Sequence, residues 1–575
     1  MYIPLTCLTD GSHCYSQTKA EDIPKICDAL NIPSIALTDI NNISQCYYYH
    51  TAMKNAGKKP IIGMQLDCCL DFASIKTDNP IISRVVILAK NYNGWKSLLK
   101  IVYESNDPGI YQDGPRLSVK ELVPLLNKDL ICIINSKFTD EQIKDFKESS
   151  CRLVCGVDPI NNTTFIKGLP TVPQFPNFYF GVENVEINRA LLCKLYKVSL
   201  INASSSLNPA FEDDRYFIHN EDDIKKYDCI TDQSIENTVR IFNEIEEYEI
   251  VNDQEFPNFS CPDGMDEKQY LRALCQEGWK IKDRQPGKDN EYIDRIKHEL
   301  EVIGSAGMSG YFLVMADICR FCRENGIYMG AGRGSAGGCL ISYLVGITDI
   351  DSIEFDLLFE RFYSIDRADY ADIDLDIQPS RRLEIVSYLK NKYGNTKVAQ
   401  LTTFSALKGS AATKLALSTS KKNIPVDEQN EITNLFPKEY KISSELKDQD
   451  NELESNSTVL YGLLHYAEKF EKWCTIDSET LKCDGIYAEE FDMAIKLNSI
   501  FQARSRHASA FILSKKTLQD FVPLIYDVGS NSRVVGVDMV TAEKMGCVKL
   551  DLLSLTLLDE FADMEKVLNG DYSIQ

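Results

Sequence analysis

The run Ala371–Ile377, ADIDLDI, constrains the chain most. Three acids, Asp372, Asp374 and Asp376, are each separated by one aliphatic residue. A period of two is the signature of a β-strand, whose side chains at i and i+2 share a face about 7 Å apart. The strand must therefore bury Ile373, Leu375 and Ile377 and line up three carboxylates on the opposite face. Two readings of that face stay open at this point. It is either a solvated surface opposite a core, or a site whose mutual repulsion is relieved by cations. Two divalent ions about 4 Å apart are the economical version of the second, and an all-oxygen donor set suits magnesium.

Three further segments bear on the choice. Val548–Leu553, VKLDLL, places Asp551 in an apolar run with Lys549 two residues earlier, so both project to one face. A charged pair in such a strand is uncommon unless paired or functional. Gly330–Gly338, GAGRGSAGG, follows an extended stretch at Ile327–Met329 and precedes an apolar, helix-like stretch at Cys339–Val345. A glycine turn opening a helix offers bare N–H groups and the helix dipole to an anion, with Arg333 and Ser335 adding a cation and a hydroxyl. It contains no GK[ST], so it is not a Walker A loop. Its formal GxGxxG at Gly332, Gly334 and Gly337 permits a dinucleotide site, and a purely structural turn is the plain alternative. Leu357–Phe362, LLFERF, sets Glu360 and Arg361 among apolar residues, for a structural ion pair or for the same cleft.

The 575 residues suggest three or four domains. Residues 1–110 show a βαβ rhythm, with strands expected at Ile35–Thr38, Ile61–Met64 and Val85–Ala89 and a helix at Asp22–Leu30. Leu130–Ile134, Phe178–Val182 and Val198–Ala203 continue it to a boundary near 215. Glu221–Tyr248 reads as a helical connector, and Tyr270–Lys282 and Glu291–Ile303 as amphipathic helices. Residues 421–500 read as helical and acidic, with a surface loop at Asp448–Ser457. No run of 18 apolar residues and no signal peptide occurs, so a cytoplasmic protein without a membrane span is expected. The 19 irregularly spaced cysteines suit reduced, buried thiols and no zinc ribbon. A net charge of −23 would not by itself point to nucleic acid, since phosphate affinity comes from Lys and Arg.

Residues 310–377, from GYFLVMADICRFCRENGIYMGAGRGSAGG through LLFERF to ADIDLDI, closely resemble bacterial DNA polymerase III alpha subunits, C-family replicative polymerases. That family carries GxGRGS, LLFERF, PDxDxDF and VKxDxLGL. Ala371 stands here for the proline and Ser554 for the glycine. Ser505–Leu513 (SRHASAFIL), Gly536–Asp538 and residues 401–414 (LTTFSALKGSAATK) match further segments in the same order. The resemblance implies an α/β multidomain chain. Its parts would be a PHP-like α/β barrel over 1–215, a linker and palm start over 216–290, a polymerase-beta-like nucleotidyltransferase palm over 291–420 and 501–575, and a helical thumb over 421–500. It implies template-directed DNA synthesis by two-metal nucleotidyl transfer, with Asp372, Asp374 and Asp551 as catalytic ligands of two Mg²⁺. Arg333, Gly334, Ser335, Arg361 and Lys549 would contact the phosphates of the incoming dNTP. Primer-template DNA is the implied partner, with a sliding clamp and a separate proofreading exonuclease as further ones.

Departures from the family pattern carry expectations of their own. The family's PHP metal ligands stand here as Thr6, Leu8, Gln65 and Ser205–Asn208, leaving Asp39. His13 and His50 cannot rebuild a multinuclear site, so no metal and no exonuclease activity is expected in the first domain. The chain reaches Gln575 just past the palm, so a second polypeptide carrying the fingers and C-terminal domains is expected, as in a split, phage-type replicase. A catalytically silent scaffold is the alternative, and a PHP-type hydrolase is disfavoured by the lost ligands.

Overall fold

Burial of aliphatic runs organises the first part of the chain. The computed structural model describes residues 1–70, 81–107, 114–364, 371–437 and 457–569. Its first sheet contains β1 (Gly63–Cys69), β2 (Ile82–Ala89), β3 (Leu117–Ser118), β4 (Leu130–Ile134), β5 (Arg152–Val157) and β6 (Thr171–Pro173), in the order β3-β1-β2-β4-β5-β6. β4, β5 and β6 run parallel, and β2 is antiparallel to both neighbours. The expected strand Leu130–Ile134 is β4, buried at every residue because helices and loops cover both of its faces.

Two extended segments carry the sheet round towards a barrel. Ala36 N–H donates to Pro4 O and Thr38 N–H to Cys7 O, both at 2.9 Å, while Gly63 N–H donates to Leu37 O at 2.9 Å. Leu8 N–H reaches Asn177 O at 3.2 Å. The strand expected at Ile35–Thr38 is thus only a bridge, Leu37 to Ile62. Neither Phe178–Val182 nor Val198–Ala203 is a strand. Tyr179 makes a single bridge to Phe217, and Leu200–Asn202 is a 3-10 turn. Both stretches are too short in continuous apolar burial to hold a ladder: Val182 and Ile201 are exposed.

Within the stretch expected as a connector, the helix Asp232–Glu244 packs Ile241 against Ile3, Leu5 and Ile131 of the first domain. The helices Glu267–Ile281 and Asp289–Ser305 instead join a second core. That core is built on Ser309–Glu324, a helix buried along most of its length. It covers one face of the second sheet. The sheet holds β7 (Asp374–Ile377) and β8 (Val398–Ala406); then, after a helical insertion with a short ladder of β9 (Thr475–Ile476) and β10 (Cys483–Asp484), β11 (Phe501–Leu513), β12 (Leu524–Asp527), β13 (Ser532–Val535) and β14 (Val548–Ser554). The order is β12-β13-β8-β11-β14-β7.

The insertion contains the helices Gly409–Ser418, Val426–Thr433, Thr458–His465 and Ala488–Leu497, packed around Phe470, Trp473 and Phe491. Ile187 and Leu191 of the first domain join that core. All but Ser457 of the expected acidic loop lies outside the described residues. The first domain also supports the second sheet: Arg533 donates to Tyr103 O at 2.7 Å, and the 3-10 turn Asp10–Ser12 sits against β11. Among the described residues no single helix is long and apolar enough to cross a membrane.

Candidate active site

β7 and β14 are adjacent and parallel, with Asp551 opposite Asp374 in the register. Alternation then does the positioning: Leu375, Ile377, Leu550 and Leu552 enter the core, and the acids emerge on the other face. Asp372 lies just before β7. One carboxylate oxygen from each of Asp372, Asp374 and Asp551 lies within 4.8 Å of the others. They descend into the protein in steps, with Asp372 exposed, Asp374 half-buried and Asp551 buried. Lys549 shares the face as its spacing predicts, its Nζ 2.7 Å from Asp551 and 3.2 Å from Asp372.

The electrostatics follow from the crowding. Burial, then the charges of Asp372 and Asp551, push the Asp374 carboxyl above its usual range. Burial works against the Lys549 ammonium, but the two carboxylates beside it outweigh that and hold it above its usual range. Lys549 thus sits where a cation is wanted. Beneath the site, Tyr311 is buried and accepts the Ile373 N–H at 3.1 Å; burial and then the three acids keep its hydroxyl protonated. No sequence signal marked Tyr311 beyond its place in the GYFLV segment.

The glycine turn is laced to the same strand. Met329 bridges to Ile377, and Gly330 N–H donates to Asp376 O at 2.9 Å. Gly334 has φ +61, and a side chain there would begin 3.4 Å from Asp374 Oδ2, so glycine leaves the approach to the acids open. Arg333 pairs with Asp376 at 3.1 Å. This assigns the third acid of the strand to holding the turn. Ser335 is exposed on the 3-10 turn Gly334–Gly338. Arg361 is exposed on the neighbouring turn Phe359–Arg361.

One expectation is corrected. The helix after the turn, Leu340–Leu344, does not offer its N-terminus to an anion. The buried Glu299 already accepts from Leu340 N–H (3.1 Å) and Ile341 N–H (2.9 Å). Arg295 pairs with Glu299 at 2.6 Å and donates to Gly338 O and Leu357 O, clamping the two turns together. The dipole is satisfied internally by Glu299, and residues 332–335 are the exposed part of the turn. Glu299 lies in an ordinary amphipathic helix pattern, and nothing local in the sequence distinguished it.

In the first domain, Asp39 is fully buried and spoken for. It accepts from Thr9 N–H (2.7 Å), Thr9 Oγ1 (2.6 Å) and Ser12 Oγ (2.6 Å). Thr6 Oγ1 donates to Phe175 O. His50 bonds to Tyr248 O, and His13 packs at a tilt against Phe404 of β8, with burial pushing its pKa down to about 4.

Comparison with known proteins agrees with this geometry. Residues 6–142 match the PHP domain family, and residues 269–554 match the family described as the bacterial DNA polymerase III alpha NTPase domain. The fold and site therefore define a PHP domain joined to a polymerase palm. The chain belongs to the bacterial DNA polymerase III alpha family. It is 28% identical to the DNA polymerase III subunit alpha of Borreliella burgdorferi, over 100% of this chain and 50% of that protein. It is 26% identical to those of Aquifex aeolicus (97% of this chain, 51% of that one) and Bacillus subtilis (96% and 48%). The chain spans about half the length of the curated relatives it matches.

Proposed function

We propose that this chain carries the nucleotidyl-transfer centre of a replicative DNA polymerase, adding deoxynucleotides to a primer 3′-hydroxyl on a DNA template. The observation that carries the reading is the convergence of Asp372, Asp374 and Asp551, from two adjacent strands, within 4.8 Å. The donor set fits Mg²⁺: three carboxylates, graded in exposure, one of them held above its usual range first by burial and then by the charges of its two neighbours. When bound there, divalent ions supply Lewis-acid stabilisation of the attacking and leaving oxygens.

The chain's own residues do the rest. Lys549 pairs with Asp372 and Asp551 and would be the cation beside the incoming phosphates were divalent ions held by these acids. Arg333 is held over the site by Asp376, on the rim of the Gly334 opening where a triphosphate can approach Asp374 without steric conflict. Ser335 and Arg361 extend this rim with exposed donors. The buried Tyr311 props the start of β7 and so fixes Asp372 relative to Asp374. A sliding clamp and a separate proofreading exonuclease are the further partners this reading proposes.

Primer extension with Mg²⁺ tests the reading, using the chain alone and mixed with a fingers-bearing chain from the same genome. Synthesis in the mixture that Asp374→Asn abolishes, with binding between the chains intact, is the expected result. Synthesis unaffected by Asp374→Asn would refute the site assignment. A bound but inactive pair would favour the scaffold.

A further inference from the structure

Two exposed apolar faces lie away from the carboxylate site. The first is a groove of about 920 Å³ between the helices Glu267–Ile281 and Asp289–Ser305. Helical periodicity builds it. Cys275 and Trp279 face it from the first helix, and Ile293, Ile296, Leu300 and Gly304 from the second, at i, i+3, i+7 and i+11. Gly304 lets the helices approach: a side chain there would begin 3.4 Å from Lys268 Cδ. The rim is basic. Lys268, Arg272, Lys280 and Lys297 are exposed along it, against one lining acid, Glu301. Among the described residues only Lys297 of these four has an ion pair, to Asp294 at 3.4 Å. This is a local excess of cations on a chain whose net charge is −23.

The second face is on the helix Thr556–Leu568, which buries Leu558 and Ala562. On another side Leu557, Phe561, Met564 and Leu568, at i, i+4, i+7 and i+11, form one exposed apolar stripe. Glu560 and Glu565 border the stripe on its two sides, Asp559 and Asp563 lie further round, and Lys566 is the one cation of the helix. The helix matches the groove in apolar character and opposes its rim in charge. The two faces are kept apart within one molecule. Asp559 accepts from Ser380 Oγ at 2.6 Å, and Glu565 from the Tyr328 hydroxyl, which tethers the helix beyond the C-terminal end of Ser309–Glu324. The groove reaches Ser309, at the other end of that 16-residue helix, about 24 Å away.

We infer that the basic-rimmed groove of one copy of this chain receives the acidic helix Thr556–Leu568 of a second copy, with the apolar stripe on the groove floor and the helix acids against the rim cations. The donor and acceptor faces differ, so the contact runs head to tail, and each joined pair keeps one groove and one helix open. Repulsion between two chains of net charge −23 opposes the contact, which therefore depends on this local charge match.

The test is sedimentation velocity of the full chain at concentrations up to about 100 μM, which covers the affinity a single helix in a groove supplies. The sedimenting mass is expected to grow with concentration. Lys268→Glu with Arg272→Glu spoils the groove, and Met564→Asp the stripe; all three residues are exposed, so the fold is kept. Each variant alone should need at least about tenfold more protein to associate. A one-to-one mixture of the two should form a dimer and nothing larger, because each pair holds one intact groove and one intact helix. A fluorescent peptide of residues 556–568 should bind the unsubstituted chain and Met564→Asp alike, and the groove variant at least about tenfold more weakly. A chain that stays monomeric throughout would overturn the inference even with the peptide bound, since the groove would then serve another acidic helix. So would association that survives both sets of substitutions, or a mixture no heavier than its parts. None of these outcomes touches the Asp374→Asn extension assay, which decides the transfer reading separately.

Discussion

Asp374→Asn should make the metal-free protein more stable while removing its response to metal. The side chain keeps its shape and loses a charge that sits within 4.8 Å of two others. At an effective dielectric of 20, each such like-charge pair costs about 3.5 kcal/mol. The substitution would remove two of these and forfeit a comparable attraction to Lys549. Asp374 is only half-buried, and water screening roughly halves what is left, for a net gain of about 1–2 kcal/mol. That corresponds to a rise in Tm of about 4 °C in EDTA for a domain of this size. In Mg²⁺ or Mn²⁺ the order should reverse. Ligand at 100 times its Kd stabilises the unsubstituted protein by about 2.7 kcal/mol, and the variant lacks one of its ligands. Differential scanning fluorimetry across a metal titration reads both effects. A variant that melts lower in EDTA and keeps the full metal-induced rise would refute the view of these acids as a mutually repelling, ion-holding cluster.

Other consequences concern the first domain. Asp39→Ala strands three buried donors from Thr9 and Ser12 and should cost on the order of 3 kcal/mol in urea unfolding. A loss below about 1 kcal/mol would show that the loop reorganises around the gap. Asp10 gives a pH test. Burial, with the Asp39 charge adding to it, raises its carboxyl from 3.8 to about 8 despite Lys19 and the Phe501 N–H. The folded state therefore keeps a proton that the unfolded chain has lost between these values. Stability contributed by Asp10 is complete below about pH 4 and falls by up to about 1.4 kcal/mol per unit as pH rises towards 8. Asp10→Asn should flatten the Tm profile over pH 5 to 8, and a parallel profile would contradict the assignment.

The carboxylate face was legible because strand alternation is a local rule. Residues 372–377 and 548–553 each declared which side chains share a face, and pairing β7 with β14 had only to align them. The glycine turn was legible as a close approach, at Gly334 above all. Its helix dipole was misjudged because the group that satisfies it, Glu299, lies some 40 residues away in sequence and carries no local mark. The strands expected at Phe178–Val182 and Val198–Ala203 failed for a related reason: apolar composition was read as a ladder where exposure left no neighbour to pair with. The bulge at residues 507–510 depends on register between strands about 100 residues apart, which no window on the sequence can show.

The turn at Asp10–Ser12 has one more implication. Ser12 Oγ faces inwards to Asp39, while outwards the turn meets β11, where Cys14 Sγ also meets Gln502 O and His13 meets Phe404. The loop is a bearing surface for the neighbouring sheet. Larger side chains at positions 6 and 8 would enter packed, hydrogen-bonded ground. The two halves of the molecule therefore cannot be altered independently along this seam.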